Sequence, residues 1–448
     1  MDDKAGLLGV KTGNEAKAAT QAGGQALAFC AFTGRQHAKA RQQKVLQHAT
    51  PTLANAPRMA VAGRSDRLAH AGAVAGAVAG AVLLDNNTNR VSATAKEATG
   101  KLLKRRERYA LRDGLRRWTT ISRVEKCGRV RIAADVQVKV YAGRAHYAGL
   151  LSCGSVWNCP VCAAKVATRR TSEVHTVLSQ HLEAGGGAEF LTLTLPHDMG
   201  DALANTRRIA ANGWKRVQQG RGWMAMKEAV GITGTIRTLE VTHGRSGWHP
   251  HVHALVLTDR PATDGERAQL LDHAFSAWGA SVVKAGQRAP LPQHTTISPV
   301  RSASDVSAYV TKIGAALEVT QGAAKTGRRA GQRAPFAVLA DFLAHGDADD
   351  LAVWREWETG MKGAKQLTWS RGLKARFDVD DVTDEALATE EVGGALVASL
   401  SANEWRVVCR TLSGPCAVLE AAEQGGADAV VLVVAAMVAH WPPIPRET

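Results

Sequence analysis

The sequence lacks any long hydrophobic run. Its most extended apolar stretch, AGAVAGAVAGAVLL from Ala71 to Leu84, is only 14 residues, mostly Ala and Gly, and falls short of a membrane span. No basic-then-apolar segment opens the chain, so neither a secretory signal nor a membrane partner is expected. Cysteine is sparse, with seven in 448 residues, and four of the seven fall between Cys127 and Cys162. That is too few for a small disulfide scaffold, and the clustering suits a metal site in a reducing cytoplasm. A phosphate loop of the Gly-x-x-x-x-Gly-Lys-Ser/Thr type, as helicases carry, is missing, so no nucleotide-driven motor of that kind is expected. Acidic residues are outnumbered, 41 against 56 basic, giving +15 and a pI near 9.7. Such a balance suits a polyanionic partner.

The basic excess is concentrated. Between Lys101 and Arg131 stand twelve Lys or Arg against three acidic residues, a local net of +9. Lys104, Arg105, Arg106, Arg108, Arg116 and Arg117 are the candidates here for phosphate contact, joined by Arg328, Arg329 and Arg333 in a later Gly-rich loop. The chain is too long for one core. Residues 1–98, Ala- and Gly-rich and nearly free of aromatics, read as a low-complexity, disordered extension. Residues 99–170 form a basic, Cys-rich segment for zinc and DNA, and 171–335 a catalytic core. Residues 336–377 extend that core with helix, and 378–448 hold an acidic linker and a helical tail. Seven acidic residues and no Lys or Arg between Asp378 and Glu391 mark that linker.

Within the core, FLTLTLPHD (Phe190 to Asp198) alternates apolar residues with Thr and is ended by Pro196, which predicts a half-buried strand. TGTIRTLEVTHGRSGWHPHVHALVL predicts a strand, a turn at HGRSG and a second strand, a β-hairpin. Residues two apart on a strand share a face, so His251 and His253 project side by side. His249 has the same parity but lies nearer the turn, and His243 reads as a turn residue. With the turn centred on Arg245-Ser246, Glu240 falls opposite His251; a shift of two residues puts it opposite His253. Either way two imidazoles and one carboxylate share a face. Such a set leaves positions for phosphate oxygens and suits Mg²⁺ or Mn²⁺, although paired strand histidines also suit Zn²⁺.

A polarised phosphodiester needs an attacking group, and SDVSAYVTKI offers one. Asp305, Tyr309 and Lys312 lie four and three apart, on one face of a predicted helix. Attack by the Tyr309 hydroxyl would form a phosphotyrosyl bond and free a 3′-hydroxyl. A phenol with a reference pKa of about 10 is a weak nucleophile, so a metal must supply most of the activation. Lys312 would offset charge, and Asp305 would admit a water to resolve the intermediate. Cys153, Cys159 and Cys162, the last two as CPVC, make most of a tetrahedral zinc site, with Cys127 and His146 competing for the fourth place. Free buried thiols and a redox pair are the other readings.

FLTLTLPH, WHPHVHALV and AYVTKI, in that order, resemble the HUH endonucleases, and within them the rolling-circle replication initiators of actinobacterial plasmids. CGSVWNCPVCAAK and LTWSRGLK resemble further parts of that family, and the likeness spans about residues 100 to 375. It implies an α+β fold, an HUH endonuclease core with a central antiparallel sheet flanked by helices, to which the cysteine spacing adds a Cys-rich zinc-binding segment and the Ala- and Val-rich tail a helical C-terminal region. It implies nicking of one strand at a plasmid origin, at a single-stranded or hairpin site, with the protein joined to the 5′ phosphate. The 3′ end would prime a host DNA polymerase, with a host helicase opening the duplex. It places Asp305 where a family acid activates water at termination. A single tyrosine in the motif argues against a two-tyrosine scheme. A relaxase or transposase of the same chemistry is the alternative, and a non-catalytic zinc-ribbon regulator the alternative of another class.

Overall fold

The structure, a computed structural model, describes residues 105–302, 305–306, 331–390 and 393–441. Its centre is a five-stranded antiparallel sheet. The strands are β3 (Gly187–Thr194), β4 (Ile232–Gly244), β5 (Gly247–Thr258), β6 (Thr295–Val300) and β7 (Leu367–Trp369), in the order β6-β3-β5-β4-β7. The mixed α+β class and the antiparallel sheet expected from the sequence are therefore present. β4 and β5 form one long hairpin, closed where Gly244 faces Gly247 across Arg245-Ser246. Gly247 has φ +83, and a Cβ there would lie 3.0 Å from the Met199 backbone. Only glycine lets the hairpin tip sit against the chain leaving β3.

The two sheet faces differ because the strands alternate. On one face Leu191, Leu193, Leu239, Val241, Val252 and Ala254 are buried in the main core. Covering them are α2 (Leu203–Val217), α3 (Gly220–Val230) and α4 (Asp264–Lys284), with α5 (Pro335–His345) and α6 (Ala348–Gly360) beside them. Trp278 of α4 is fully buried there, and its indole N–H donates to the Thr194 carbonyl at 3.3 Å. The opposite face is covered over one half only. Val174, Val177 and Leu178 of α1 (Pro160–Glu183) pack on Phe190, Ile236, Leu255, Leu257 and Val300, with Val306 in the same cluster. Past Phe190 that face turns polar, with Thr192, Thr194, Glu240, His249, His251 and His253.

A second sheet lies outside the core. β1 (Val136–Tyr141) and β2 (Arg144–Ala148) form its hairpin, and β8 (Ala395–Leu400) pairs antiparallel with β1. The tail thus carries a strand in addition to the expected helices, α7 (Ala402–Arg410) and α8 (Gly414–Ala439). ALVASL has little periodicity of its own, and an open edge on β1 decides its state. Val136, Val138, Trp405, Val408, Val418 and Leu419 bury one another there. By length and mean hydropathy α8 would suit a membrane crossing. Gly426, at φ 63 and ψ −145, breaks it in two. At 1.5 Å per residue each piece falls well short of the ~30 Å hydrocarbon layer, and the first is packed on β1 and β8.

Trp278 joins the core to the polar half of the sheet, which gives a first prediction. Trp278→Ala should cost about 3–5 kcal/mol in urea unfolding, whereas Trp278→Phe, which removes chiefly the indole hydrogen bond, should cost about 1–2 kcal/mol. Equal losses for the two variants would show that the cavity does not dominate.

Candidate active site and metal centres

The hairpin register pairs Glu240 with His251, Thr238 with His253 and Thr242 with His249. The carboxylate nevertheless leans along the strand to the farther ring: His253 Nε2 lies 2.7 Å from Glu240 Oε2. His251 and His253 stand parallel, 7° apart in plane, with centroids separated by 5.9 Å. Phe190 stacks on His253 at 5.4 Å. From β3, Thr192 Oγ1 reaches His253 Nδ1 and Thr194 Oγ1 reaches His251 Nδ1, each at 3.1 Å. His249 packs edge-on against His251 at 4.2 Å and contacts His197 at 3.2 Å. Four imidazoles thus run in a row toward the hairpin tip.

Electrostatics suits this set to cations. Burial, aided by the neighbouring His249, pushes His251 down to about 3, so its ring is neutral at pH 7. Burial alone would raise the Glu240 carboxyl. The His253 hydrogen bond and the nearby imidazoles outweigh that and hold it below its ordinary value. The donor chemistry, two imidazoles and a carboxylate, fits a divalent ion. Two donors on one ion lie within about 4.2 Å of each other, twice a bond of about 2.1 Å. Glu240 and His253 meet that limit, while the parallel rings require His251 to tilt toward the carboxylate.

The cysteine cluster needs no such movement. Among the described residues, only Cys127, Cys153, Cys159 and Cys162 bring three or more ligand atoms within 4.8 Å of one another, and all four are buried. Their sulfurs lie 3.5 Å (Cys127 to Cys162), 3.6 Å (Cys153 to Cys162) and 3.7 Å (Cys127 to Cys159) apart. A tetrahedron with Zn–S bonds of about 2.3 Å has edges of about 3.8 Å. The set can therefore hold a metal such as zinc. Cys127 takes the fourth place, while His146 lies on β2 opposite Lys139. Cys127 ends the short helix Ser122–Lys126, and Cys159 caps α1 with Cys162 in its first turn, where the helix dipole favours thiolates. Hydrogen bonds from the Cys127, Cys153 and Cys159 thiols hold Cys162 well below its ordinary value. Arg112 is buried, and its Nη2 makes no hydrogen bond. Burial disfavours its charge, but Asp113, Tyr109, Cys159 and Cys127 together outweigh that and favour the cation.

Tyr309 and Lys312 lie outside the described residues, as do Lys104, Arg328 and Arg329. Asp305 is described. Its carboxylate accepts from the backbone N–H of Arg301 at 3.0 Å and of Ser302 at 3.1 Å, which holds it below its ordinary value. Several of the arginines singled out by composition face carboxylates. Arg105 binds Glu423 through both Nη atoms at 3.0 and 2.5 Å, and Arg106 grips Glu420 at 2.7 and 2.5 Å. Arg116 binds Asp113 and the carbonyls of Glu125 and Cys127. Arg333 binds Asp341 and Asp350. Arg108 is half-buried; Arg117 is exposed with no ion pair among the described residues.

A groove of about 530 Å³ begins where the imidazole row ends. Thr194, His197, His249, Arg245, Arg288 and His294 are among its lining. Arg245 is exposed, and Arg288 bonds Asp198 at the rim. Thr192, Thr194, His197, Arg245 and Arg288 belong to no motif that marks them as functional in the sequence. Strand parity alone could have flagged the threonines, because FLTLT has its Thr in phase.

The replication protein family Rep_1 matches residues 151–395. The chain is 29% identical over 342 residues to a Protein rep of Streptomyces lividans, covering 60% of this chain and 75% of that one. A Neomycin resistance protein of Streptomyces cyanogenus is 35% identical over 160 residues, 30% of this chain and 36% of its own. A Protein rep of Staphylococcus aureus is 31% identical over 108 residues, 23% and 44% of the two chains. No solved structure matches. The matched span holds the imidazole row, its threonine strand and three of the four clustered cysteines, and over more than half its length this chain belongs to the Rep_1 replication protein family.

Proposed function

We propose that this replication protein is a metal-dependent, site-specific DNA strand transferase with an HUH core, and that it initiates rolling-circle replication of a plasmid. The observation that carries the reading is the open half of the central sheet. There His251, His253 and Glu240 share one face at the head of a groove lined by Arg245 and Arg288. His251, His253 and Glu240 would hold Mg²⁺ or Mn²⁺, which when bound polarises a phosphodiester and neutralises charge on its oxygens.

Tyr309 attacks phosphorus as its hydroxyl proton passes to solvent, and solvent in turn protonates the departing 3′ oxygen. A tyrosyl O–P bond forms, the P–O3′ bond breaks, and the 3′ oxygen leaves to become the primer end. Lys312 offsets charge on phosphate or phenolate. Support for the nucleophile comes from Val306, three residues before it, which is buried on the same sheet face as the histidines. Asp305 stays ionised and orients the water that ends the reaction. The groove arginines and Arg117 hold the DNA backbone, which makes binding salt-dependent. Host helicase and polymerase supply unwinding and extension. The cysteine cluster holds a structural Zn²⁺.

Incubation with a supercoiled plasmid bearing its origin and Mn²⁺ should give nicked circles with protein on the 5′ end. Tyr309→Phe should lose the adduct at least 10³-fold yet keep origin binding within about threefold, as read by gel shift. An adduct that persists would displace Tyr309 as nucleophile; no adduct from the wild-type protein would favour a DNA-binding regulator without catalysis. For the cysteines, elemental analysis should find about one zinc per chain. Cys159→Ser should lose it and cost at least about 3 kcal/mol, part of the ~10–16 kcal/mol that structural zinc binding supplies. Unchanged stability without zinc would leave the cluster as buried thiols.

A further inference from the structure

We infer that Thr192 and Thr194 are positioning residues: their hydroxyls bracket the Nδ1 atoms of His253 and His251 and let each ring exchange its tautomer when a cation arrives. The inference rests on the metal reading above and adds a purpose for the FLTLT strand.

All three side chains on one side of that strand touch the imidazoles. Phe190 stacks on His253, Thr192 reaches His253 Nδ1, and Thr194 reaches His251 Nδ1. β3 is well placed to aim them. It lies between β6 and β5, and Trp278 grips the Thr194 carbonyl from the other face. Threonine is also stiff about χ1, so its hydroxyl is held in place rather than searching for the ring.

The choice of a hydroxyl follows from proton placement. Glu240 as carboxylate only accepts, so at 2.7 Å the His253 Nε2 carries the proton. In the neutral ring Nδ1 is then bare, and the Thr192 hydroxyl must donate to it. A cation held by His253 Nε2 needs that nitrogen's lone pair. The ring proton then resides on Nδ1 and is donated to the Thr192 oxygen. The hydroxyl serves both states by rotating its hydrogen, with no change in net charge. A carboxylate touching Nδ1 in the threonine's place would favour only the Nδ1–H form, and a valine would serve neither. Thr194 offers His251 the same pair of options at the same 3.1 Å.

Full-length protein should be compared as wild type, Thr192→Val, Thr194→Val, Thr192→Ser and Thr194→Ser. Free Mn²⁺ by electron paramagnetic resonance gives affinity, and ¹⁵N spectra of the imidazoles with and without Mg²⁺ give the tautomer. Each valine variant should weaken Mn²⁺ binding about 10-fold or more, the usual scale for losing an outer partner of a ligand, while each serine variant stays within about threefold of wild type. The His253 proton should move from Nε2 to Nδ1 on adding Mg²⁺ to wild type. Circular dichroism should show all five folded. Valine variants that bind as wild type does, or serine variants as weak as the valines, would overturn the role while sparing the metal reading. Wild-type protein that binds no Mn²⁺ would overturn the metal reading and this role together.

Discussion

The chemistry proposed for this protein depends on the register of three strands, β3, β5 and β4. A slip of one residue in β5 would bring Val252 to the open face and send His251 and His253 into the core. What prevents the slip is the apolar face. Leu191, Leu193, Leu239, Val241 and Val252 are buried against α2, α4, α5 and α6. At about 1.5–3 kcal/mol for each buried side chain, the five contribute roughly 10 kcal/mol. The threonine–histidine hydrogen bonds on the other face, at about 1 kcal/mol each, are too small to set register. The core places the imidazoles, and the hydrogen bonds then aim them.

That division explains what was legible in the sequence. The hairpin, its turn at Arg245-Ser246 and the pairing of Glu240 with His251 follow from local alternation, and they stand in the structure. What lies across β3 does not follow, because Thr192 and Thr194 meet their histidines some sixty positions later, 61 and 57 residues away. Three of the four clustered cysteines were readable from spacing, but the choice of Cys127 over His146 needed the fold. The tail was least readable. β8 is a strand because β1 offers an edge, and no local pattern announces that.

Charge shows the same limit. Twelve basic residues against three acidic ones suggested a DNA-binding block, but composition cannot see the carboxylates that approach from elsewhere. Glu423 and Glu420 come from α8, 318 and 314 residues beyond Arg105 and Arg106, and each engages its guanidinium through two hydrogen bonds. Arg105 and Glu423 are largely buried, so these pairs fasten the tail to the basic segment. The Arg106 guanidinium is half-exposed and contributes less. Exposed cations nearer the imidazoles, at Arg245 and around the groove, are fewer but freer to meet phosphate.

The cysteine cluster and the hairpin set differ in the way their proposed tasks require. Four thiols from three stretches of chain, buried and already at tetrahedral spacing, make a closed set with no room for a substrate. The hairpin set is open on one side, and in the role proposed for it His251 would be drawn inward while that open side admits a phosphate oxygen. One helix joins them. α1 starts among the cysteines with Cys159 and Cys162, and some twelve residues on, at Val174, Val177 and Leu178, it covers half of the histidine face. Its N-terminus therefore fixes where that cover stops. The same helix thus ties the cysteine cluster to Phe190, whose ring backs the His253 imidazole.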